Sequence, residues 1–539
     1  MQNKINIWFD AIVFFLVAVA VSWPALHHDL FRPITTTADP DIVYIYQVLL
    51  LSDGLPQSYF DHTGYIYFVI LTFWFKLLHL IGLVPIIKLS ELVKLNDIGP
   101  SYEALIYGGR IFSIILATLC SFVFYYVIKK LTDHKYIAAI AAIIFAILPG
   151  LSVHAVQMRT ELPSIFFAYL FFLMMLLATQ SRRWVEFVYL VLATFFAVLA
   201  IMVKLQIIPT ILAMPIIILI LCSGLDARRK PAFLVYSWPQ VTAIWLLALA
   251  ISIPAYAMVW TQIFPAIPDL PDRHSVENRG YQFLIMSYLV LIILVYVKFD
   301  RRTFLEMILI FSAVSVGFAL AFYTTFIHHD TKNTAILVNF VEHMTNFATS
   351  TEGIMFSKTE SSQLFGGLYD KLALLVGQVI TRNLFTLNFT YSPTMPLAWL
   401  AFVGIAISSY YRNLRLALSS CALLVTGFGM EVFSGIRSFA PHYRIYSEPL
   451  LLLSVILLVV RLLNFGVVDK IHRHTSVRWG AFIFIGLIGA VVIKGSLSFA
   501  FADKVWNEPS NGCYQTMFAV PRIKEFFCSD KFLHPPENR

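Results

Sequence analysis

Charge is what this sequence has least of. Only 13% of its 539 residues are Asp, Glu, Lys or Arg, while 59% are hydrophobic. A water-soluble chain carries about 25% charged residues. The shortfall excludes a soluble enzyme with a solvated surface. Alternating strand patterns are also missing, so helices are left as the way to satisfy the backbone in hydrocarbon. There is no low-complexity tract, no short-period repeat and no stretch polar enough to form a soluble domain. The net charge of +8 is not a nucleic-acid signal. Its Lys and Arg sit in short loops between apolar runs, where membrane proteins keep them on the inner side. Five cysteines are present. Cys120, Cys222 and Cys421 lie within apolar runs and read as small buried thiols. Cys513 and Cys528 lie in the polar tail and pair if that tail faces an oxidising compartment.

What is there in abundance is apolar sequence in runs long enough to cross a bilayer. The first, 7–26, has a weak basic flank and a long core, so it reads as a retained span rather than a cleaved leader. The next apolar stretch, 63–87, is predicted not to cross. If it did, the basic loops at 129–135, 181–183, 226–230, 298–302, 411–415 and 469–478 would all lie outside. Laid on the outer surface, it leaves each of these inside, as the positive-inside rule requires. The remaining spans are then 107–128, 136–152, 161–179, 185–203, 207–223, 237–262, 281–297, 304–324, 394–410, 416–434, 446–463 and 479–498. The fold class is therefore an all-α polytopic membrane protein of about 13 transmembrane helices, with amphipathic surface helices in the first outer loop. The spanning domain is expected over 1–499, with the first outer loop at 27–106 and a long outer loop at 325–392. A short outer tail follows over 500–539. The N-terminus is cytoplasmic and the C-terminus is on the far side.

The outer loops hold the chemistry-bearing residues. Between 35 and 67 lies a polar, acidic island with Asp39, Asp41, Asp53, Asp61 and His62. Asp39-Pro40-Asp41 is a favoured helix start, an Asp cap with Pro in the first turn, and Asp53-Gly54 is a turn signal that ends it. Asp41 is placed to take a proton from an acceptor hydroxyl; the plainer account is that Asp39 caps the helix and Asp41 complements its dipole. Arg159 and Glu161 lie at the outer mouth of the fourth span, either as an interfacial pair or as a second acidic arm facing the island. Lys204, among apolar residues at the outer end of the fifth span, needs a partner or an anionic ligand, unless it snorkels to the interface. Arg437, His442, Tyr443 and Arg444 precede a late span and are suited to holding a phosphate as it develops charge; membrane anchoring is the alternative. Asp39, Asp41 and His62 could share a divalent ion such as Mg, Mn or Zn, though their spacing is not a ligand signature.

The order of these parts resembles the GT-C superfamily of membrane glycosyltransferases, which includes protein O-mannosyltransferases, lipid A aminoarabinose transferases and arabinosyltransferases. The residues that carry the likeness are Pro40-Asp41-Ile42-Val43-Tyr44, Gly54, His62-Thr63-Gly64-Tyr65-Ile66-Tyr67, Gly109-Arg110-Ile111-Phe112-Ser113, Arg159-Thr160-Glu161 and Lys204. They cover the first 210 residues; the rest matches by topology alone. The family's adjacent acidic pair is replaced here by Pro40-Asp41, with the second acid displaced to Asp39. The resemblance implies a polyprenyl-phosphate-linked sugar as donor and a glycan, lipid or protein as acceptor. It also implies inversion at the anomeric carbon and a site on the periplasmic side of a bacterial inner membrane, or in the lumen of the endoplasmic reticulum. It leaves a metal open. On this reading Asp41 and Asp39 are catalytic, and His62, Arg159, Glu161, Lys204, Arg437, His442, Tyr443 and Arg444 bind substrate. The alternatives are an oligosaccharide polymerase or ligase using a diphosphate-linked donor, and a lipid or sugar transporter. Against the transporter stand the lack of related halves and the gathering of polar groups at one face rather than the midplane.

Overall fold

The computed structural model describes residues 2–28, 30, 39–58, 64–181, 184–222, 238–258, 261, 304–326, 376–381, 384, 394–410, 414–436, 441–464, 490–497, 520 and 522–523. Among these residues every regular element is a helix. Helix α1 (Gln2–His28) is followed by α2 (Asp39–Ser52), α3 (Tyr65–Leu80), the single turn α4 (Leu89–Leu92) and α5 (Gly99–Thr132). Then come α6 (Lys135–Ile147), α7 (Pro149–His154), α8 (Glu161–Gln180), α9 (Trp184–Val203), α10 (Ile208–Cys222) and α11 (Trp238–Met258). Helices α12 (Phe304–Phe326), α13 (Thr394–Tyr410), α14 (Leu414–Ile436) and α15 (Glu448–Asn464) complete the set.

Six of the described helical stretches are long and apolar enough to cross a membrane, and several more apolar helices are shorter. The predicted spans 281–297 and most of 479–498 lie outside the described residues, as do most of the 325–392 loop and nearly all of the tail with Cys513 and Cys528. Two spans differ from the sequence expectation for visible reasons. The run 136–152 is not one helix. Leu148 precedes Pro149 and takes an extended conformation (φ −60°, ψ 142°), because the proline ring disfavours the helical region in the residue before it. The chain stops as α6 and restarts as α7. The span expected at 107–128 instead begins at Gly99, with Pro100 in the first turn. At 1.5 Å per residue α5 is about 51 Å long, so it projects well beyond the roughly 30 Å hydrocarbon layer.

Helix α3 reaches only about 24 Å and ends in a turn at Gly82. Its Phe73, Leu77 and Leu80 remain exposed. Helix α2 has no polar face, and every residue from Asp41 to Leu51 is buried. It is covered by α3, α4 and α5, and the Tyr102 hydroxyl of α5 donates to the Ile42 carbonyl at 2.5 Å.

The first group of helices packs in a chain of contacts: α1 on α5 and α6, α5 on α8, α8 on α9, α9 on α12 and α12 on α11. A second group, α13 to α15, packs on itself. It joins the first through α10 on α14 and through α15 on α5 and α6. The end of α12 also meets the start of α3, where Tyr65 donates to the Thr324 carbonyl at 3.5 Å.

Candidate active site

The site grows from the N-terminal half of α5. Arg110 lies buried within α5 beside a long apolar run, and a guanidinium there requires a counter-charge. It finds Asp41: Arg110 Nε lies 3.3 Å from Asp41 Oδ2, with both side chains almost wholly buried. Arg110 Nη1 also donates to the Leu30 carbonyl at 3.1 Å, tying in the end of α1. The other oxygen, Asp41 Oδ1, accepts the Met158 backbone N–H at 2.7 Å. Asp41 thus clamps α2, α5 and the 155–160 turn together. Burial pushes its carboxyl upward, and the Arg110 charge and the Met158 N–H pull against that.

A second buried pair lies beside it. Lys204 Nζ is 3.2 Å from Glu161 Oε1, and both side chains are nearly inaccessible. Glu161 begins α8 and Lys204 follows α9, so antiparallel packing of these helices brings the two ends together. Gly64 seals the same corner. Its N–H donates to the Val203 carbonyl at 3.1 Å, and its φ of +57° suits glycine. A Cβ there would also strike the Phe68 ring.

Phenols line the gap between the two pairs. Tyr44 and Tyr67 meet edge to face, with centroids 6.0 Å apart. Tyr44 reaches Thr160 at 3.5 Å, and Tyr67 hydrogen-bonds Ser113. Burial raises both phenols above their ordinary range, and the nearby Glu161 charge raises them further. Both therefore stay neutral, as hydroxyl donors. Tyr446, from the C-terminal group of helices, lies within electrostatic reach of Glu161 and Tyr44.

Of the sequence-predicted residues, Asp41, Arg159, Glu161 and Lys204 come together at this end. Arg159 is only partly buried; it donates to Gln157 at 3.0 Å and acts electrostatically on Asp41 and Tyr44. Tyr443 and Arg444 are buried in the short 3-10 turn Pro441–Ile445, which packs on α7 and α8. His442 is in the same turn, but its side chain lies outside the described residues. So do the Asp39 side chain, all of His62 and all of Arg437. Sequence reasoning gave no site role to Arg110, Tyr44, Tyr67, Tyr446 or Glu448. For Arg110 and Glu448 the signal was available: a charged residue in or beside an apolar run. For the tyrosines there was none, because buried aromatics are common throughout this chain.

No group of three His, Cys, Asp or Glu is close enough to hold a metal ion among the described residues. Both Asp41 oxygens are already engaged, so an ion there would have to displace Arg110 or the Met158 N–H.

Residues 104–258 match a family profile described as dolichyl-phosphate-mannose-protein mannosyltransferase. The matched stretch contains Arg110, Arg159, Glu161 and Lys204, the core of the site just described. No curated relative matches the sequence. Among solved structures, the chain is similar to the archaeal oligosaccharyltransferase AglB from Archaeoglobus fulgidus, solved with an inhibitory peptide and a dolichol-phosphate. That likeness has 13% identity and a TM-score of 0.43, over 96% of this chain and 60% of the other. The chain thus spans less than two thirds of that enzyme's length, and the likeness is too distant to carry an argument.

Proposed function

We propose that this protein transfers a sugar from a polyprenyl-monophosphate carrier to an acceptor at the outer face of a bacterial inner membrane. The acceptor is a glycan, a lipid or a protein. The observation that carries this reading is the convergence of Asp41, Arg110, Glu161, Lys204 and the 441–448 segment at one end of the bundle, within and beside the stretch that matches the mannosyltransferase profile.

In the reaction, an acceptor oxygen attacks the anomeric carbon, its proton passes to a carboxylate, and the carbon–oxygen bond to the phosphate breaks. The lipid phosphate leaves with the bonding electrons, and the configuration at the anomeric carbon inverts. We assign the base to Asp39 and a positioning role to Asp41. What supports this division is the complete burial of Asp41 and the engagement of both its oxygens, against the place of Asp39 at the first residue of α2. Helix α2, which Asp39 begins, is held in place by the Asp41–Arg110 pair. Arg159 and Arg444 serve the developing phosphate charge, where preorganised donors act most strongly, and His442 is assigned to the same role from its place in the sequence. Lys204 joins them by exchanging Glu161 for phosphate. The neutral Tyr44 and Tyr67 hydroxyls are donors for the sugar. If a divalent ion takes part, Asp39 and His62 would hold it and it would supply charge neutralisation at the phosphate; no step above depends on it.

The test is transfer by purified protein from a panel of polyprenyl-monophosphate sugars, run beside the matching diphosphate donors. Turnover with a monophosphate donor is expected. Turnover with diphosphate donors alone would make the protein a polymerase or ligase. If neither class reacts and labelled lipid crosses vesicles instead, the protein is a transporter.

A further inference from the structure

The two groups of helices meet at a contact that the proposed chemistry does not itself require. Glu448, the first residue of α15, is completely buried. Its Oε2 accepts the Gly150 backbone N–H at 2.9 Å, across 298 residues of sequence. Gly150 is in the first turn of α7, pressed onto the 441–445 turn so closely that any Cβ would run into the backbone of Arg444 and Ile445. A glycine is required there by space alone.

The same turn is gripped from its other side. Ser447 Oγ donates to Glu431 of α14, and the Ser447 N–H donates to the Arg444 carbonyl at 3.1 Å. Arg444 is itself buried and acts electrostatically on Glu448. Two buried carboxylates beside one buried cation are costly, and a well-packed apolar set is often the more stable choice. Stability alone therefore does not explain why they are here. What they do is fix a backbone. Helix α7 leads through the turn at 155–157 to Met158, whose N–H holds Asp41. A rigid line accordingly runs from Glu448 through Gly150 and α7 to the acidic centre, and from Glu448 through one turn of chain to Arg444.

We propose that Glu448, by accepting the Gly150 N–H, is the positioning residue that sets Arg444 at the phosphate end of the site in register with Asp41. This rests on reading the site as one that holds a lipid-linked phosphate.

The experiment uses the full-length protein in detergent, with undecaprenyl phosphate and undecaprenol as probes, and measures the Kd for each. Wild type binds the phosphate more tightly than the alcohol; if it does not, the underlying reading of the site fails and the proposal fails with it. Glu448→Asp keeps the carboxyl group but loses the reach to Gly150. Glu448→Gln keeps the reach and an acceptor oxygen but loses the acid. A positioning role predicts that Asp weakens undecaprenyl phosphate binding about tenfold, the scale of one lost hydrogen bond, with undecaprenol binding unchanged and Gln close to wild type. Gln as damaging as Asp or worse, neither variant differing from wild type, or equal losses for both lipids would each overturn the proposal while leaving the site reading intact. Should a Glu448 variant fail to fold, Gly150→Ala separates the same two segments by one methyl group. It should weaken undecaprenyl phosphate binding and leave undecaprenol binding unchanged; no change, or equal losses for both lipids, would overturn the proposal.

Discussion

Helix α5 carries two ion pairs, one at Arg110 in its first half and one at Lys129 in its last turn, and the two are built differently. Arg110 and Lys129 are separated by nineteen residues of helix, about 28 Å and close to the thickness of the hydrocarbon layer. At one end Asp10 is shared by Lys129 at 2.7 Å, Tyr125 at 2.6 Å and Tyr126 at 3.1 Å. Its side chain and that of Lys129 keep 19% and 25% of their exposure. At the other end Arg110 and Asp41 keep 2% and 1%, and backbone groups from two further segments complete the shell. The first pair anchors α1 to α5 at the interface, where water and mobile side chains dilute charge. The second is sealed, so any change there leaves a charge without compensation. The difference separates an end built for anchoring from one built to hold groups in fixed positions.

The comparison breaks most visibly at Arg110. Arg110→Leu is expected to cost about 3–5 kcal/mol by stranding a buried carboxylate, read as a large fall in thermal midpoint in detergent. Adding Asp41→Asn should recover part of that loss, since the stranded charge is then gone. Asp39→Asn should lower transfer by at least about a hundredfold, the contribution of a general base, with no change in thermal midpoint. A matching loss of midpoint would return Asp39 to a purely structural role. Lys204→Met sharpens the account of the second sealed pair. It should lower both the midpoint and undecaprenyl phosphate affinity, whereas a loss of midpoint alone would make the pair structural. The smallest effect is expected at the open end, where Lys129→Leu should cost about 1 kcal/mol or less and leave transfer unchanged.

Much of this arrangement was legible in the sequence, and the boundary of legibility has physical causes. Charge placement read along the loops put 63–87 outside the set of spans, and the stretch forms a 16-residue apolar helix, α3. The Asp39-Pro40 start and the Asp53-Gly54 stop bracket α2 as observed, because capping chemistry is local. Asp41, Glu161 and Lys204 were each suspected one by one, as charges beside apolar runs. Their partners were not foreseen: Arg110 for Asp41, and Glu161 for Lys204, depend on which helix ends meet. The break at Pro149 was readable but passed over, because the apolar run continues through it. Gly150 and Glu448, 298 residues apart, could not have been joined by any local pattern.

The central claim is that the acidic centre on the first outer loop and the Asp10–Lys129 anchor lie on opposite sides of the membrane. Asn96 and Lys130 are both exposed, one in the loop before α5 and the other near its far end. In a cysteine-free background, Asn96→Cys should react with a membrane-impermeant maleimide applied to intact cells, and Lys130→Cys only after the membrane is opened. Labelling of both positions from the same side would contradict the account.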